Sequence, residues 1–235
     1  MSSTDNNKMK YLYLLLVMAS CTAGAMEPGS QYKQQAEAGD PRAQYYLADT
    51  YVSFGDFPQA EYWAQKAAES GDGDALALLA QLKIRNPQQA DYLQAKTLAE
   101  KSVQTGSKAG EIVLARLLVN QQAGTPNYAH AITLLQHAAR DPESDSAVDA
   151  QMLLGLIYAS GVHTPEDDAQ AAQYFKESSA LSRTGYAEYW AGMLFQQGEK
   201  GFIEPNKQKA LHWLNVSCQE GFDTGCEEFD RISKQ

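Results

Sequence analysis

The sequence of this 235-residue chain predicts an all-α fold, a right-handed α/α solenoid of about five helical hairpins with a half repeat at each end. Three observations carry that prediction. A pattern of small residue, Leu, small residue and large residue is set by Ala43-Leu47-Ala48-Tyr51. It returns as Ala75-Leu79-Ala80-Lys83, Gly110-Leu114-Ala115-Leu118, Ala150-Leu154-Gly155-Tyr158 and Ala187-Ala191-Gly192-Phe195, at intervals of 32 to 40 residues. A second set answers each copy: Ala60-Trp63-Ala67, Ala95-Leu98-Ser102, Ala131-Leu134-Ala138, Ala171-Tyr174-Ser178 and Ala210-Trp213-Ser217. Both sets have the i, i+3/i+4, i+7 spacing of one face of an amphipathic helix. The third observation is composition. Ala, Leu, Gln, Glu and Lys abound while Val and Ile are few, which favours helix over sheet. A fixed period of this length means stacked helix pairs, not one closed core.

Taken in chain order, residues 1–25 read as a signal sequence and 26–235 as the repeat array. Lys8 and Lys10 precede an uncharged run of 16 residues, 11–26, shorter than the roughly 20 needed to span a bilayer as a helix. Two processing routes stay open. Ala23-Gly24-Ala25 fits ordinary signal peptidase and leaves Met26 first. Met18-Ala19-Ser20-Cys21 is similar to a lipobox, which makes Cys21 the candidate lipidation site and implies a lipid anchor. Either route exports the chain to a bacterial periplasm, soluble or anchored as a lipoprotein. Met9 is an alternative start to Met1. In an oxidising compartment, the two remaining cysteines, Cys218 and Cys226, read as a disulfide.

Residues 30–39 form a half repeat that lacks its first helix. Five hairpins follow over 40–71, 72–106, 107–143, 144–182 and 183–221, and 222–235 supplies a last first helix. Gly71, Gly106 and Gly221 stand where a left-handed residue closes the second helix. Pro142 and Ser182 replace that glycine in the third and fourth hairpins, so those junctions are expected to be built differently. Asn86-Pro87, Thr125-Pro126-Asn127, Thr164-Pro165-Glu166 and Glu204-Pro205-Asn206 end one helix and start the next. The loop 198–205 is the longest, and conformational variation is expected there. The small second position (Ala48, Ala80, Ala115, Gly155, Gly192) lets the helices of a hairpin approach closely.

Charge and motifs exclude several functions. The formal net charge is -10, with 19 basic and 29 acidic residues, so a phosphate-binding groove for nucleic acid is not expected. His130, His137, His163 and His212 fall in no metal-ligand spacing. There is no Walker A, GxGxxG or GxSxG motif, and neither a cofactor nor a catalytic centre is expected.

The fourth hairpin, with Ala150, Leu154, Gly155, Tyr158 and Gly161, and the first, ending Trp63-Ala-Gln-Lys66-Ala67-Ala68-Glu-Ser-Gly71, bring a known family into view. Ala-x-x-x-Leu-Gly-x-x-Tyr followed by Ala-x-x-Trp/Tyr-x-x-x-Ala-Ala-x-x-Gly resembles the Sel1-like repeat, a relative of the tetratricopeptide repeat. The resemblance covers about residues 30–233, with the second and third copies degenerate. Cys218 and Cys226 match the cysteine-rich subgroup of that family, in which such pairs join a second helix to the next first helix. For so short a loop, chain entropy puts the stabilisation at roughly 2.5 kcal/mol.

The resemblance implies a non-catalytic scaffold that binds another protein or peptide through its concave side. On the first helices, the positions facing that side are Arg42, Tyr45 and Asp49; Asp74, Gln81 and Arg85; Ile112, Arg116 and Asn120; Met152 and Leu156; Tyr186, Tyr189, Met193 and Gln196. Met152, Leu156, Tyr189 and Met193 form an apolar stretch, either a docking surface or core buried by the curvature of the stack. Two alternatives accompany the scaffold. The acidic charge and export suit an immunity-type protein that neutralises a secreted toxin. The cysteine-rich subgroup also implies weak β-lactam binding or hydrolysis; Ser30-Gln-Tyr-Lys33 is the one Ser-x-x-Lys match, and the Lys-Thr-Gly partner motif is missing.

Overall fold

The computed structural model describes residues 29–85, 90–140, 144–161, 167–181 and 184–234. Residues 1–28, and with them Cys21 and the signal sequence, lie outside the described residues, as do Asn86-Pro87, Pro142, His163, Pro165 and Ser182. Twelve α-helices occupy the described residues. They are α1 (Ser30–Glu37), α2 (Pro41–Ser53), α3 (Phe57–Glu69), α4 (Gly73–Ile84), α5 (Tyr92–Gln104) and α6 (Lys108–Val119), then α7 (Tyr128–Ala138), α8 (Asp145–Ser160), α9 (Asp168–Leu181), α10 (Tyr186–Gln197), α11 (Lys207–Gln219) and α12 (Asp223–Ser233). The five hairpins are α2–α3, α4–α5, α6–α7, α8–α9 and α10–α11, with α1 and α12 as half repeats: an α/α solenoid.

The helix ends follow from local chemistry. Asp40, Asp56, Asp72, Asp91, Ser107, Asn127, Ser144 and Asn206 each accept a hydrogen bond from the backbone N–H three residues on, satisfying a donor that the helix itself leaves open. The joint between hairpins is a Schellman turn. Gly71 has φ +89°, its N–H bonds the Ala68 carbonyl at 3.0 Å, and the Asp72 N–H bonds the Ala67 carbonyl at 3.1 Å. Gly106 and Gly221, with φ +85° and +87°, repeat that pair of bonds, as does Gly39. The same joint thus serves the entry to the first hairpin and the exits of the first, second and fifth, while the junctions at 141–143 and 182–183 lie outside the described residues.

Packing explains the small residues, and it corrects the reading of the second helices. Their deepest position is one residue later than the alternation suggested: Ala64, Ala99, Leu135, Phe175 and Leu214 are all fully buried. Leu134 and Tyr174, expected at the centre of the face, are only partly buried. Small and large residues are matched across the fourth and fifth hairpins. A Cβ on Gly155 would stand 2.4 Å from the Phe175 ring, and one on Gly192 would stand 2.6 Å from Leu214. Where the first helix offers Ala48 or Ala80, the second offers Ala64 or Ala99 at the equivalent depth. Between hairpins the same device recurs: Gly110 leaves room for Ser102, and Gly225 for Ser217. Buried serines also tie the second, fourth and fifth hairpins together. Ser102, Ser178 and Ser217 donate to the carbonyls of Gly73, Val148 and Gly185, at 2.5, 3.0 and 2.6 Å.

The core runs through the stack in two segments that meet at α4, where Leu78 and Leu79 pack toward the first hairpin and Ala77 and Ala80 toward the third. Helix α6 is likewise buried around most of its circumference. The middle hairpins therefore replace the aromatic signature by first helices that are apolar on several sides. Successive first helices touch, α2 with α4, α4 with α6 and α6 with α8, while among the described residues successive second helices do not pack together in this way. The layer whose members converge is the inside of the curve, so the first helices line the concave side.

Gly155→Leu is expected to lower stability by roughly 1–3 kcal/mol through overpacking on Phe175. Phe175→Ala alone removes about 3–5 kcal/mol. In urea titrations the double variant should lose clearly less than the sum, because the added side chain refills the space left by the ring; strict additivity would refute the proposed contact.

Candidate functional site

The concave side carries one large groove, about 680 Å³, formed by α4, α6, α8, α10 and the loop after α10. Ile112, Met152, Leu153 and Leu156 lie along its floor, with Ile84 and Tyr92 at one end and Trp190 and Leu194 at the other. Trp190 is 41% exposed, whereas Trp63 and Trp213 are 8% and 1% exposed. Among five charged groove residues, Arg85, Arg116 and Lys200 are basic and Asp149 and Glu199 acidic.

The loop 198–205 forms the far wall, and it is built, not loose. Glu199 and Ile203 pair as an antiparallel bridge, with the Glu199 N–H to the Ile203 carbonyl at 2.7 Å and the Ile203 N–H to the Glu199 carbonyl at 2.8 Å. Phe202 and Ile203 turn inward and are buried. The hairpin tip reaches past the fourth repeat to the third. Arg116 donates from Nε and Nη2 to the two carboxylate oxygens of Glu199 at 3.2 and 2.9 Å. Asn120 Nδ2 donates to the Lys200 carbonyl at 3.3 Å, and the Gln121 N–H to the Gly201 carbonyl at 2.8 Å. Gly201, at φ +83°, permits this approach, since a Cβ there would meet the Asn120 side-chain oxygen at 2.5 Å. Two buried apolar residues and a two-point ion pair hold the loop in this conformation.

Of the residues selected from the sequence, Gln81, Arg85, Ile112, Arg116, Asn120, Met152 and Leu156 line the groove. Leu156, 3% exposed, is core that also forms the floor. Tyr189 and Met193 fall outside the lining, which takes Trp190 and Leu194 instead. The Tyr189 ring packs on Phe222, with centroids 5.4 Å apart, and Tyr186 flanks the same ring. Gln196 accepts a long bond from Arg231 at 3.4 Å. These residues therefore dock the last half repeat on α10. The register slips because the successive 3- and 4-residue steps of a helix carry the inward line from Tyr189 to Trp190.

At the other end, Arg42 stacks over the Tyr45 and Tyr46 rings, at 4.8 and 4.9 Å, and bonds Asp74 at 2.5 Å. Burial, with Asp49 and Asp74 nearby, pushes the Tyr45 hydroxyl up to about 12, so it stays a neutral donor; burial also raises the Asp49 carboxyl. Tyr45, Asp49 and Asp74 thus belong to a joint between the first two hairpins and not to the groove. Cys218 and Cys226 place their sulfurs at disulfide distance, 1.97 Å, with Cα atoms 4.6 Å apart, and link α11 to α12. His137 meets the buried Glu111 carboxylate at 2.6 Å beside Lys108, on the same hairpin. Ser30 is exposed at the start of α1 and lines neither this groove nor the second cavity, of about 430 Å³, near Arg42.

Helical hairpins stacked by small residues, with a groove along their first helices, define a repeat protein of the tetratricopeptide-related class. The Sel1 repeat family model matches residues 41–72, 148–182 and 185–222, the first, fourth and fifth hairpins. A curated relative from Escherichia coli (strain K12), Sel1-repeat-containing protein YjcO, is 65% identical over 227 residues, 96% of this chain and 99% of its own. The crystal structure of a sel1 repeat protein from Klebsiella pneumoniae subsp. pneumoniae is 84% identical, covers 88% of this chain and 100% of its own, and superposes with a TM-score of 0.87. A Sel1 repeat protein from Oxalobacter formigenes, 19% identical over 89% of this chain and 90% of its own, shares the fold with a TM-score of 0.54. The chain belongs to the Sel1 repeat family. Sel1 repeats mediate protein–protein interaction.

Arg116→Ala should shift global stability by less than about 1 kcal/mol, as expected for an exposed pair. It should nevertheless speed amide exchange at Gln121 and Ile203, measured by mass spectrometry; unchanged exchange at both amides would mean the ion pair does not hold the wall.

Proposed function

We propose that this protein is an exported, non-catalytic scaffold of the bacterial envelope whose concave groove seats a segment of another protein. The observation that carries the reading is the groove itself. Trp190 stays 41% exposed beside Met152, Leu194 and Ile112, in a stack whose other tryptophans are buried. Exposed aromatic and methionine side chains in a concave, apolar setting are what interface centres use. Export rests on the positive start and the short apolar run of residues 1–25.

The immunity-type alternative draws on the net charge of -10. That acidity is not concentrated in the groove, where basic side chains outnumber acidic ones, so the scaffold reading is preferred. The β-lactam alternative rests on Ser30 and Lys33, which lie away from the groove.

A photo-crosslinking amino acid placed at Met152 should capture a defined envelope partner, and Trp190→Ala should cut capture several-fold with an unchanged melting temperature. The same label at exposed Tyr62, on a second helix, serves as the control; equal capture from both positions would remove the groove from the proposal. Mass spectrometry of the processed protein should give an N-terminus at Met26 or a lipidated Cys21, and an intact residue 1 in cells would overturn export.

A further inference from the structure

The charges of the groove run against those of the chain. Acidic residues outnumber basic ones 29 to 19 overall, yet the groove gathers three basic residues and two acidic ones. One of those acids, Glu199, is already engaged by Arg116 through both carboxylate oxygens, and Asp149 makes contacts of its own. Asp149 is exposed, and so are Arg85, Arg116 and Lys200, which leaves the basic side chains in the majority. Arg85 lies at one end with its guanidinium 3.5 Å above the Phe57 ring, a stacking that holds the plane and leaves its N–H edge open. Lys200 is exposed on the hairpin tip beside Arg116. Glu199 takes only Nε and Nη2 of Arg116, and a guanidinium has five N–H donors, so donors on Nη1 are still to be used. The same groove holds the apolar side chains of Ile112, Met152, Leu156 and Trp190.

Resting on the interaction reading above, we propose that the groove recognises an acidic, apolar-centred peptide segment. A bulky side chain sits against Met152 and Trp190, and flanking carboxylates reach Arg85, Arg116 and Lys200. Charge-assisted bonds to a planar guanidinium are the strong, orienting kind. A basic segment would instead bring like charges together at these residues, which discriminates against it. The net acidity of the chain then acts as a repulsive background around the groove.

The test uses the full processed chain and Trp190 as the reporter, since acrylamide reaches it far more readily than the two buried tryptophans. Three synthetic octapeptides share a Leu-Phe-Leu centre and carry Glu/Asp, Ser or Lys flanks. The expected result is that the acidic peptide shields Trp190 and binds at least about 10-fold more tightly than the serine peptide, with the advantage shrinking as salt rises. Arg85→Ser with Lys200→Ser should erase the difference between the two while circular dichroism stays unchanged. If the lysine peptide binds as well as the acidic one or better, the charge assignment is overturned and the groove reading stands. Should none of the three alter Trp190 quenching, both are overturned.

Discussion

The close approach of helices in this solenoid depends on placing a missing or minimal side chain opposite a buried one. Gly155 stands against Phe175 and Gly192 against Leu214 within hairpins, and Gly110 against Ser102 and Gly225 against Ser217 between them. Close packing leaves no tolerance for a methyl group at such points. The exchange is clearest at the two ends of the series: Ala48 with Ala64 and Ala80 with Ala99 are small residues buried on both helices, whereas Gly155 and Gly192 make room for Phe175 and Leu214; Ala115 with Leu135 is intermediate. Curvature, groove and half-repeat docking all inherit their spacing from these pairs.

The serine hydroxyls make the same point in polar terms. A buried hydroxyl is costly unless bonded. Ser102, Ser178 and Ser217 each find a carbonyl at the start of the first helix of their own hairpin, a group that the helical ladder leaves with spare acceptor capacity. The residue small enough to sit at the crowded junction is thereby also the one that locks the hairpin. The disulfide neighbours this arrangement at the last junction, beside Ser217 and Gly225.

The repeat register, its five hairpins and the degenerate middle were legible because each rests on local rules: helical period, capping residues and glycine at the Schellman position. Gly39 shows the rule is general, since it builds the same joint. What the sequence concealed came from distance or drift. Leu135 and Phe175 are the deep residues, not Leu134 and Tyr174, because i+3 and i+4 are both compatible with an inward stripe and only the facing helix decides. Trp190 replaces Tyr189 in the groove for the same reason. The wall at 198–205 was unreadable as structure, because its partners Arg116, Asn120 and Gln121 lie about eighty residues earlier.

That wall changes the mechanics of the molecule. A solenoid in which each unit meets only its neighbours behaves as a spring, extending by small changes of pitch shared along its length. Here the tip of the fifth unit is fastened to the third by Arg116–Glu199, Asn120–Lys200 and Gln121–Gly201, so the turn enclosing the fourth works as a closed loop of fixed girth. Stretching that part of the spring means breaking these contacts first, a step that ordinary changes of pitch do not require.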